Sequence, residues 1–196
     1  MEQKTKVVTG TVRLSYAHIF EPQVNEDGSE KYSVSLLIPK TDTETINKIK
    51  KAVNEAKEIG KTSKWSNKIP SNCKLPLRDG DVEREDDEVY KNHYFVTATS
   101  KTKPDIRIYK GKKADGKPIL EETDNSTEVY SGCYARVSVN FYPFDAKGNK
   151  GVACGLNSIV KVMDGEALGG RSSADEDFAD TDFSDVDLGL DDDELL

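Results

Sequence analysis

Apolar and polar side chains alternate strictly through residues 132–144, and this pattern constrains the fold more than any other feature of the sequence. A period of two is typical of a β-strand with one buried face, because successive side chains point to opposite sides. The predicted buried face consists of Cys133, Ala135, Val137, Val139 and Phe141. The other face mixes rings, a cation and an amide, which suits solvent or a ligand better than a core. Its members are Tyr134, Arg136, Ser138, Asn140, Tyr142 and Phe144.

Shorter patterns predict further strands and a single helix. Alternation or apolar runs between turn residues predict strands at 7–16, 32–38, 94–100, 106–109 and 151–163. In the first of these, Val8 and Tyr16 are predicted on the apolar face with Val12 and Leu14. The polar stretches 61–91 and 111–125 are predicted as loops.

The predicted helix is amphipathic. Thr41 and Glu44 form a candidate capping box, apolar residues follow at helical spacing, and Gly60 is the predicted end. Many short strands with one helix predict a mainly β (α+β) fold, built as a small antiparallel β-barrel over residues 1–165.

Charge is distributed unevenly along the 196 residues. The whole chain has a net charge of −8, but residues 171–196 contain eleven acids and one base, a net charge of −10. The remaining residues therefore carry +2. We predict a linker at 166–174 and a disordered acidic tail at 175–196, because such a composition cannot bury a core.

Cations and rings recur together on the predicted non-core surface of the barrel. Unpaired bases stack on aromatic rings, and backbone phosphates bind cations, so this combination predicts binding of single-stranded nucleic acid. A solvated face is the alternative, and for the only tryptophan the alternative is a cap on the barrel. The candidate DNA-binding residues are Arg13, Lys64, Trp65, Arg107, Tyr109, Tyr134, Arg136, Asn140 and Tyr142.

The acidic tail also contains apolar residues, which a purely solubilising tail does not need. It is predicted to compete with DNA for a cationic groove and to recruit partner proteins, with a merely charged brush as the alternative. The candidate partner-binding residues are Phe183, Asp187, Leu188, Asp191, Asp192, Asp193, Leu195 and Leu196.

Other functions are less favoured by the sequence. Two histidines and three cysteines lack metal-ligand spacing, and phosphate-loop and nucleophile-elbow motifs are missing, so neither metal, cofactor nor enzymatic activity is expected. A metal-dependent nuclease using Asp79, Asp81, Asp86 and Asp87 is the main alternative, and an inhibitor or DNA mimic acting through the tail is another. No apolar run reaches membrane-spanning length, and the cysteine usage predicts the cytoplasm.

Six stretches resemble one known family. They are VRLSYAH at 12–18, YSVSLLIPK at 32–40, PLRDGD at 76–81, YSGCYARVSVNFY at 130–142, GNKGVACGLN at 148–157 and DGEALGGR at 164–171. In these the chain is similar to phage and prophage single-stranded DNA-binding proteins, and the similarity covers residues 6–178.

The resemblance implies an OB-type barrel that binds single-stranded DNA without sequence preference. It also implies a role in phage DNA replication, recombination and repair within a bacterial host cell. The sequence leaves binding of double-stranded DNA open, since a body with a net charge of +2 is compatible with weak binding. The acidic end resembles the tails of other single-strand binders, but those commonly end in an aromatic residue, whereas this one ends in Leu195 and Leu196. Common OB barrels place their helix after the third strand, so a helix after the second implies a missed strand near 21–24 or an elaborated barrel.

Overall fold

The fold is a twisted, largely antiparallel β-sheet with one long helix. The computed structural model describes residues 4–169 and residue 181. The strands are β1 (Lys6–Val8), β2 (Val12–Val24), β3 (Glu30–Pro39), β4 (Arg78–Asp79), β5 (His93–Ser100), β6 (Asp105–Lys112), β7 (Pro118–Glu122), β8 (Tyr134–Ala146) and β9 (Asn149–Met163). The helices are α1 (Thr43–Ser63) and the short α2 (Gly80–Glu83).

Five strands close a ring in the order β8, β2, β3, β5 and β9, with β9 pairing back to β8. A closed five-stranded sheet is the arrangement of the OB barrel. The prediction of a mainly β, OB-like barrel with one amphipathic helix is confirmed. The ring is not antiparallel throughout, because β5 meets β9 in parallel at only two residue pairs. The strand β6 continues along the same edge of β9, also in parallel.

The helix α1 packs one face into the barrel core. Ile46, Ile49, Ala52, Val53 and Ala56 are buried there, as their spacing predicts. Both predicted ends of the helix were wrong, because α1 begins one residue later than expected and continues past Gly60 to Ser63. The helix follows β3, the second strand of the ring in chain order. Residues 21–24 continue β2, so no separate strand was missed at that point of the chain.

Asp42, not Thr41, caps α1 at its start. The Asp42 carboxylate accepts a hydrogen bond from the Thr45 N–H at 3.0 Å, and the Thr45 hydroxyl accepts one from the Gly10 N–H at 2.8 Å. A Cβ on Gly10 would lie 2.5 Å from the Asp42 carboxylate, so only glycine fits at this contact. The close approach joins the start of the helix to the first strands.

The predicted first strand is in fact two strands with a break at residues 9–11. Val7 and Thr9 are buried before the break, and Val12 and Leu14 after it, so the inward face changes register. Val8 and Tyr16, predicted in the core, are both exposed. The Thr9 hydroxyl accepts a hydrogen bond from the Val137 N–H at 3.0 Å, which fixes the break against β8.

The predicted loop at 111–125 is also different in the structure. It contains the end of β6, a turn, and β7, and the two strands form an antiparallel hairpin. Every residue of β7 is exposed, so the segment lacks the alternation that predicts a half-buried strand. This hairpin extends the sheet beyond β9.

A second apolar cluster lies on the outer side of the ring. Leu37 and Phe95 point outward from β3 and β5, and Tyr90 from the segment between α2 and β5 covers them. The Tyr90 and Phe95 rings meet edge to face, with their centroids 5.1 Å apart. Residues 80–92 therefore close off this part of the outer surface. Among the residues that the structure describes, no helix is long and apolar enough to cross a bilayer.

Candidate nucleic-acid interface

The outward face of β8 is the centre of the candidate interface. The buried and exposed faces of this strand alternate as the sequence predicts, with Ala135, Val137, Val139 and Phe141 inside. Arg136 and Tyr142 are exposed on the other face, and Tyr134 and Asn140 are half-buried there. A cation and rings therefore line one strand.

Strand register brings a second arginine into line with Arg136. Arg136 lies opposite Val160 of β9, and Val160 lies beside Arg107 of β6. Laterally paired residues share a face of the sheet, and neighbouring strands lie about 4.8 Å apart. The two arginines are therefore on one surface, about 10 Å apart at the backbone. Tyr109 is two residues further along β6 and shares that face.

The two arginines differ in their electrostatic surroundings. The Arg107 Nε donates to the Asp105 carboxylate at 2.9 and 3.1 Å, and this hydrogen bond raises the pKa of the guanidinium. Arg136 has no ion-pair partner within residues 4–169. Arg136 is thus the more available cation for a phosphate.

Arg13 and Tyr134 form a more closely packed pair at the start of β8. The Arg13 Nε donates to the Gly132 carbonyl at 3.1 Å, and its Nη2 donates to the Glu166 carbonyl at 2.8 Å. The guanidinium lies 5.8 Å from the centre of the Tyr134 ring. Arg13 therefore fastens residues 164–168, the end of the predicted body and the first part of the predicted linker, to the barrel.

Tyr142 and Asn140 occupy the other half of the β8 face. Tyr142 is 42% exposed. A Cβ on Gly155 of β9 would be in ordinary van der Waals contact with the Tyr142 ring, at 3.4 Å, so the ring lies over the neighbouring strand. The Asn140 side-chain oxygen accepts a hydrogen bond from the Thr5 hydroxyl at 3.0 Å, which orients the amide.

Trp65 does not belong to this surface, and its predicted role in stacking on bases is wrong. Only 2% of the residue is exposed, and the Nε1 donates to the Phe144 carbonyl at 3.1 Å. A Cβ on Gly60 would lie 2.7 Å from the Trp65 ring, so this glycine makes room for the indole instead of ending α1. Trp65 belongs to the hydrophobic core, which agrees better with the alternative of a cap on the barrel than with a role in the interface. Lys64 is exposed just after the helix, outside the strands that carry Arg136 and Arg107.

A comparison with known proteins identifies the family. Residues 5–188 match the family described as Enterobacter phage Enc34, ssDNA-binding protein. The chain belongs to this family. The resemblance inferred from the six sequence stretches is thereby confirmed.

Individual relatives support the same assignment. Protein p50 of Acyrthosiphon pisum secondary endosymbiont phage 1 is 34% identical over 186 residues, covering 87% of this chain and 91% of that protein. The single-stranded DNA-binding protein from bacteriophage Enc34, solved in complex with ssDNA, has a TM-score of 0.69 and 26% identity, covering 85% and 91% of the two chains. The fold also resembles gp2.5, a single-stranded DNA-binding protein encoded by bacteriophage T7, with a TM-score of 0.55 and 17% identity over 93% and 97% of the chains.

Two of the four carboxylates proposed for a nuclease already have a cation as partner. The Lys40 ammonium lies 2.6 Å from Asp79 and 2.7 Å from Asp81, so it bridges this pair and offsets part of its charge. Within the described part of the chain, no group of three or more residues has the geometry of a metal site. The described residues therefore give no support to the nuclease alternative, and the family to which the chain belongs is one of ssDNA-binding proteins.

One exposed ring was missed by the sequence analysis. Tyr16 was predicted in the core, but it is 55% exposed and its backbone has φ of 47°. Nothing in the alternation of residues 12–16 signals this conformation. The tail residues predicted to bind partners, from Phe183 to Leu196, lie outside the described residues.

Proposed function

We propose that the protein binds single-stranded DNA along the outward face of β8 and the adjoining faces of β9 and β6. The observation that carries the proposal is the alignment of Arg136 with Arg107 across three strands, flanked by the exposed Tyr142 and by Tyr109. Membership of a phage ssDNA-binding family supports it.

The proposed chemistry is independent of sequence. Arginines neutralise phosphates and release counterions, and every base offers a ring face that stacks on tyrosine. Neither interaction reads the hydrogen-bonding edge of a base. An unpaired strand exposes its bases for stacking, whereas a duplex hides them, so we expect double-stranded DNA to bind much more weakly.

In the infected cell the protein would coat and protect unwound phage DNA during replication, recombination and repair. Such a role places it in the cytoplasm of the bacterial host. The acidic tail would compete with DNA for the cationic surface and present Phe183, Leu188 and the terminal leucines to replication or recombination proteins. Its net charge of −10 and its spaced apolar residues support both roles.

The proposal is tested by fluorescence anisotropy with labelled oligonucleotides. We expect wild type to bind a single strand much more tightly than the matching duplex, and Arg136→Ala to weaken that binding. Lys51→Ala, which removes an exposed cation from α1, is the control and should bind as wild type does.

Two results would overturn the proposal. If neither the full chain nor a chain lacking residues 172–196 binds single-stranded DNA, the barrel is not a DNA-binding module, and the inhibitor alternative is favoured. If Lys51→Ala and Arg136→Ala weaken binding equally, the β8 face is not the site.

A further inference from the structure

A cleft of about 390 Å³ lies beside the start of β8, outside the surface proposed above. Its walls include Tyr16, His18, Asp87, Ser131 and Leu168. Tyr16 and His18 belong to β2, and Asp87 belongs to the segment after α2. Ser131 precedes β8, and Leu168 follows β9. Several parts of the fold thus converge on one opening.

A β-bulge directs Tyr16 into this region. Ser15 pairs with Ser35, but the next pairing joins His18 to Ser33, so β2 has one residue more than β3 between the two pairs. The Ala17 N–H donates to the Ser131 hydroxyl at 2.9 Å, which holds the bulge against the chain that precedes β8. Bulges re-aim side chains and are frequent beside binding sites.

The conformation of Tyr16 is unfavourable for a tyrosine. Its φ of 47° lies in the left-handed region, where a bulky side chain is rare. Despite this, the ring is not used to fill the core, since 55% of the residue is exposed. Strained residues of this kind occur at ligand-binding positions more often than elsewhere.

Arg84 stacks against the exposed ring. Its guanidinium lies 6.0 Å from the centre of the Tyr16 ring and 5.5 Å from that of Tyr90, which is buried. The buried tyrosine anchors the arginine, and the arginine supports Tyr16. Arg84 itself does not line the cleft, but it places a cation beside the Tyr16 ring that does.

The cleft continues the proposed DNA surface. Ser131 lies three residues before Tyr134, so the two are no more than about 11 Å apart along the chain. The Leu168 N–H donates to the Ser131 carbonyl at 2.8 Å, and Arg13 holds Glu166 on the same segment. A strand that follows β8 past Tyr134 therefore reaches the cleft within about three stacked nucleotides.

We propose that this cleft is a base-binding subsite, in which one unpaired base of the bound strand stacks on Tyr16. The inference rests on the proposed binding of single-stranded DNA. Asp87 lines the cleft, and Glu85, Asp86 and Glu88 are exposed on the same loop. These carboxylates repel a free nucleotide with several phosphates, whereas a base enters while its phosphates remain on the β8 side.

The test compares two single-stranded probes of equal length and charge, one with thymine bases and one with abasic sites throughout. We expect Tyr16→Gly to weaken binding of the thymine probe about tenfold and to leave the abasic probe unchanged. Tyr16→Phe keeps the ring and should bind both probes as wild type does. Val82→Ala removes an exposed apolar side chain of α2 that does not line the cleft, and is the control.

The glycine variant also separates binding from folding. Glycine adopts a φ of 47° freely, so we expect Tyr16→Gly to melt at or above the temperature of wild type. If wild type binds the thymine probe and Tyr16→Gly binds it equally well, or loses both probes alike, the subsite is wrong while the β8 proposal stands. If wild type fails to bind the thymine probe at all, the proposed function itself is wrong.

Discussion

The three candidate DNA-binding arginines differ in how free their side chains are to bind a phosphate. Arg136 is exposed without an ion pair in residues 4–169, Arg107 is held by Asp105, and Arg13 donates to two backbone carbonyls. An arginine that already has a partner must exchange that interaction for the phosphate. The net gain on binding should therefore be largest for Arg136.

This ranking of the arginines by their availability to phosphate predicts how each one affects the salt dependence of DNA binding. For Arg136→Ala, we expect the slope of log K against log salt to become shallower by about 0.7, since one single-strand phosphate loses its cation. Arg107→Ala should change the slope less, because Asp105 already offsets that charge. Affinity titrations at several salt concentrations measure both slopes, and a larger change for Arg107→Ala would contradict the order.

Tyrosines on the same face should contribute through their rings. We expect Tyr142→Ala to weaken single-strand binding by about 1–3 kcal/mol, and Tyr142→Phe to keep most of the affinity. Tyr134→Ala should also weaken binding, but it additionally removes the ring beside Arg13 and is expected to lower the unfolding midpoint. Anisotropy and urea unfolding separate the two effects. Wild-type affinity in both alanine variants would exclude this strand from the interface.

For Trp65, whose ring is in the core, we expect a substitution to lower stability and to leave DNA affinity unchanged. We expect Trp65→Ala to destabilise the fold by about 3–5 kcal/mol, as for other large buried aromatics, while the folded fraction binds DNA normally. Urea unfolding followed by circular dichroism measures the first effect, and anisotropy at low temperature measures the second. A stable variant with weakened DNA affinity would return Trp65 to the interface.

At the scale of strands and helices, periodicity determined what could be predicted. The faces of β8 and the buried stripe of α1 follow directly from their repeats. The role of Gly60 could not be read locally, because the indole that it accommodates arrives from beyond the end of the helix. The break at Gly10 was hidden as well, since it depends on contacts with Asp42 and Thr45 from α1.

The composition of the interface was predictable, but its geometry was not. Arg136 and Tyr142 were assigned to the outward face from alternation alone. Their alignment with Arg107 depends on a parallel pairing of β6 with β9, which no local pattern specifies. Tyr16 was missed for the same kind of reason, because its bulge arises from the pairing of β2 with β3.

The segment around α2 is fastened to β3 by an ion pair that depends on pH. Hydrogen bonds from the Lys40 ammonium and then from the Asn92 N–H lower the pKa of Asp81 below its ordinary value of 3.8. A lowered pKa means that the ionised carboxylate stabilises the fold above pH 4, and that this contribution is lost as the pH falls through the lowered value.

We therefore expect Asp81→Asn to be less stable than wild type near pH 6 and to approach it as the pH is lowered to 3. Urea unfolding midpoints at several pH values between these limits provide the measurement. Asp86→Asn, on the same loop and exposed, is the matched control and should show little difference from wild type at any pH. A destabilisation by Asp81→Asn that stays constant with pH would contradict the ion-pair explanation.

On the scale of the whole molecule, the last residues that the structure describes before the acidic segment are bound close to the proposed DNA surface. Arg13 and Ser131 bind the backbone of residues 166 and 168, only a few residues before the acidic run starts. A segment tethered at this point has a high effective concentration at the cationic face. The proposed competition between tail and DNA would therefore be intramolecular, and we expect it to be strong at low salt.

Deleting residues 172–196 should consequently tighten single-strand binding, and the gain should be greatest at low salt, where the tail competes best. The salt dependence of the truncated chain should thus be steeper than that of wild type. A chain in which the deleted residues are replaced by an uncharged Gly/Ser segment of equal length is the control, and it should behave as the truncation does. If the Gly/Ser chain binds as weakly as wild type, the tail acts through its bulk. If the truncation gains nothing at low salt, the tail does not compete for the DNA surface, and recruitment of partners is its remaining proposed role.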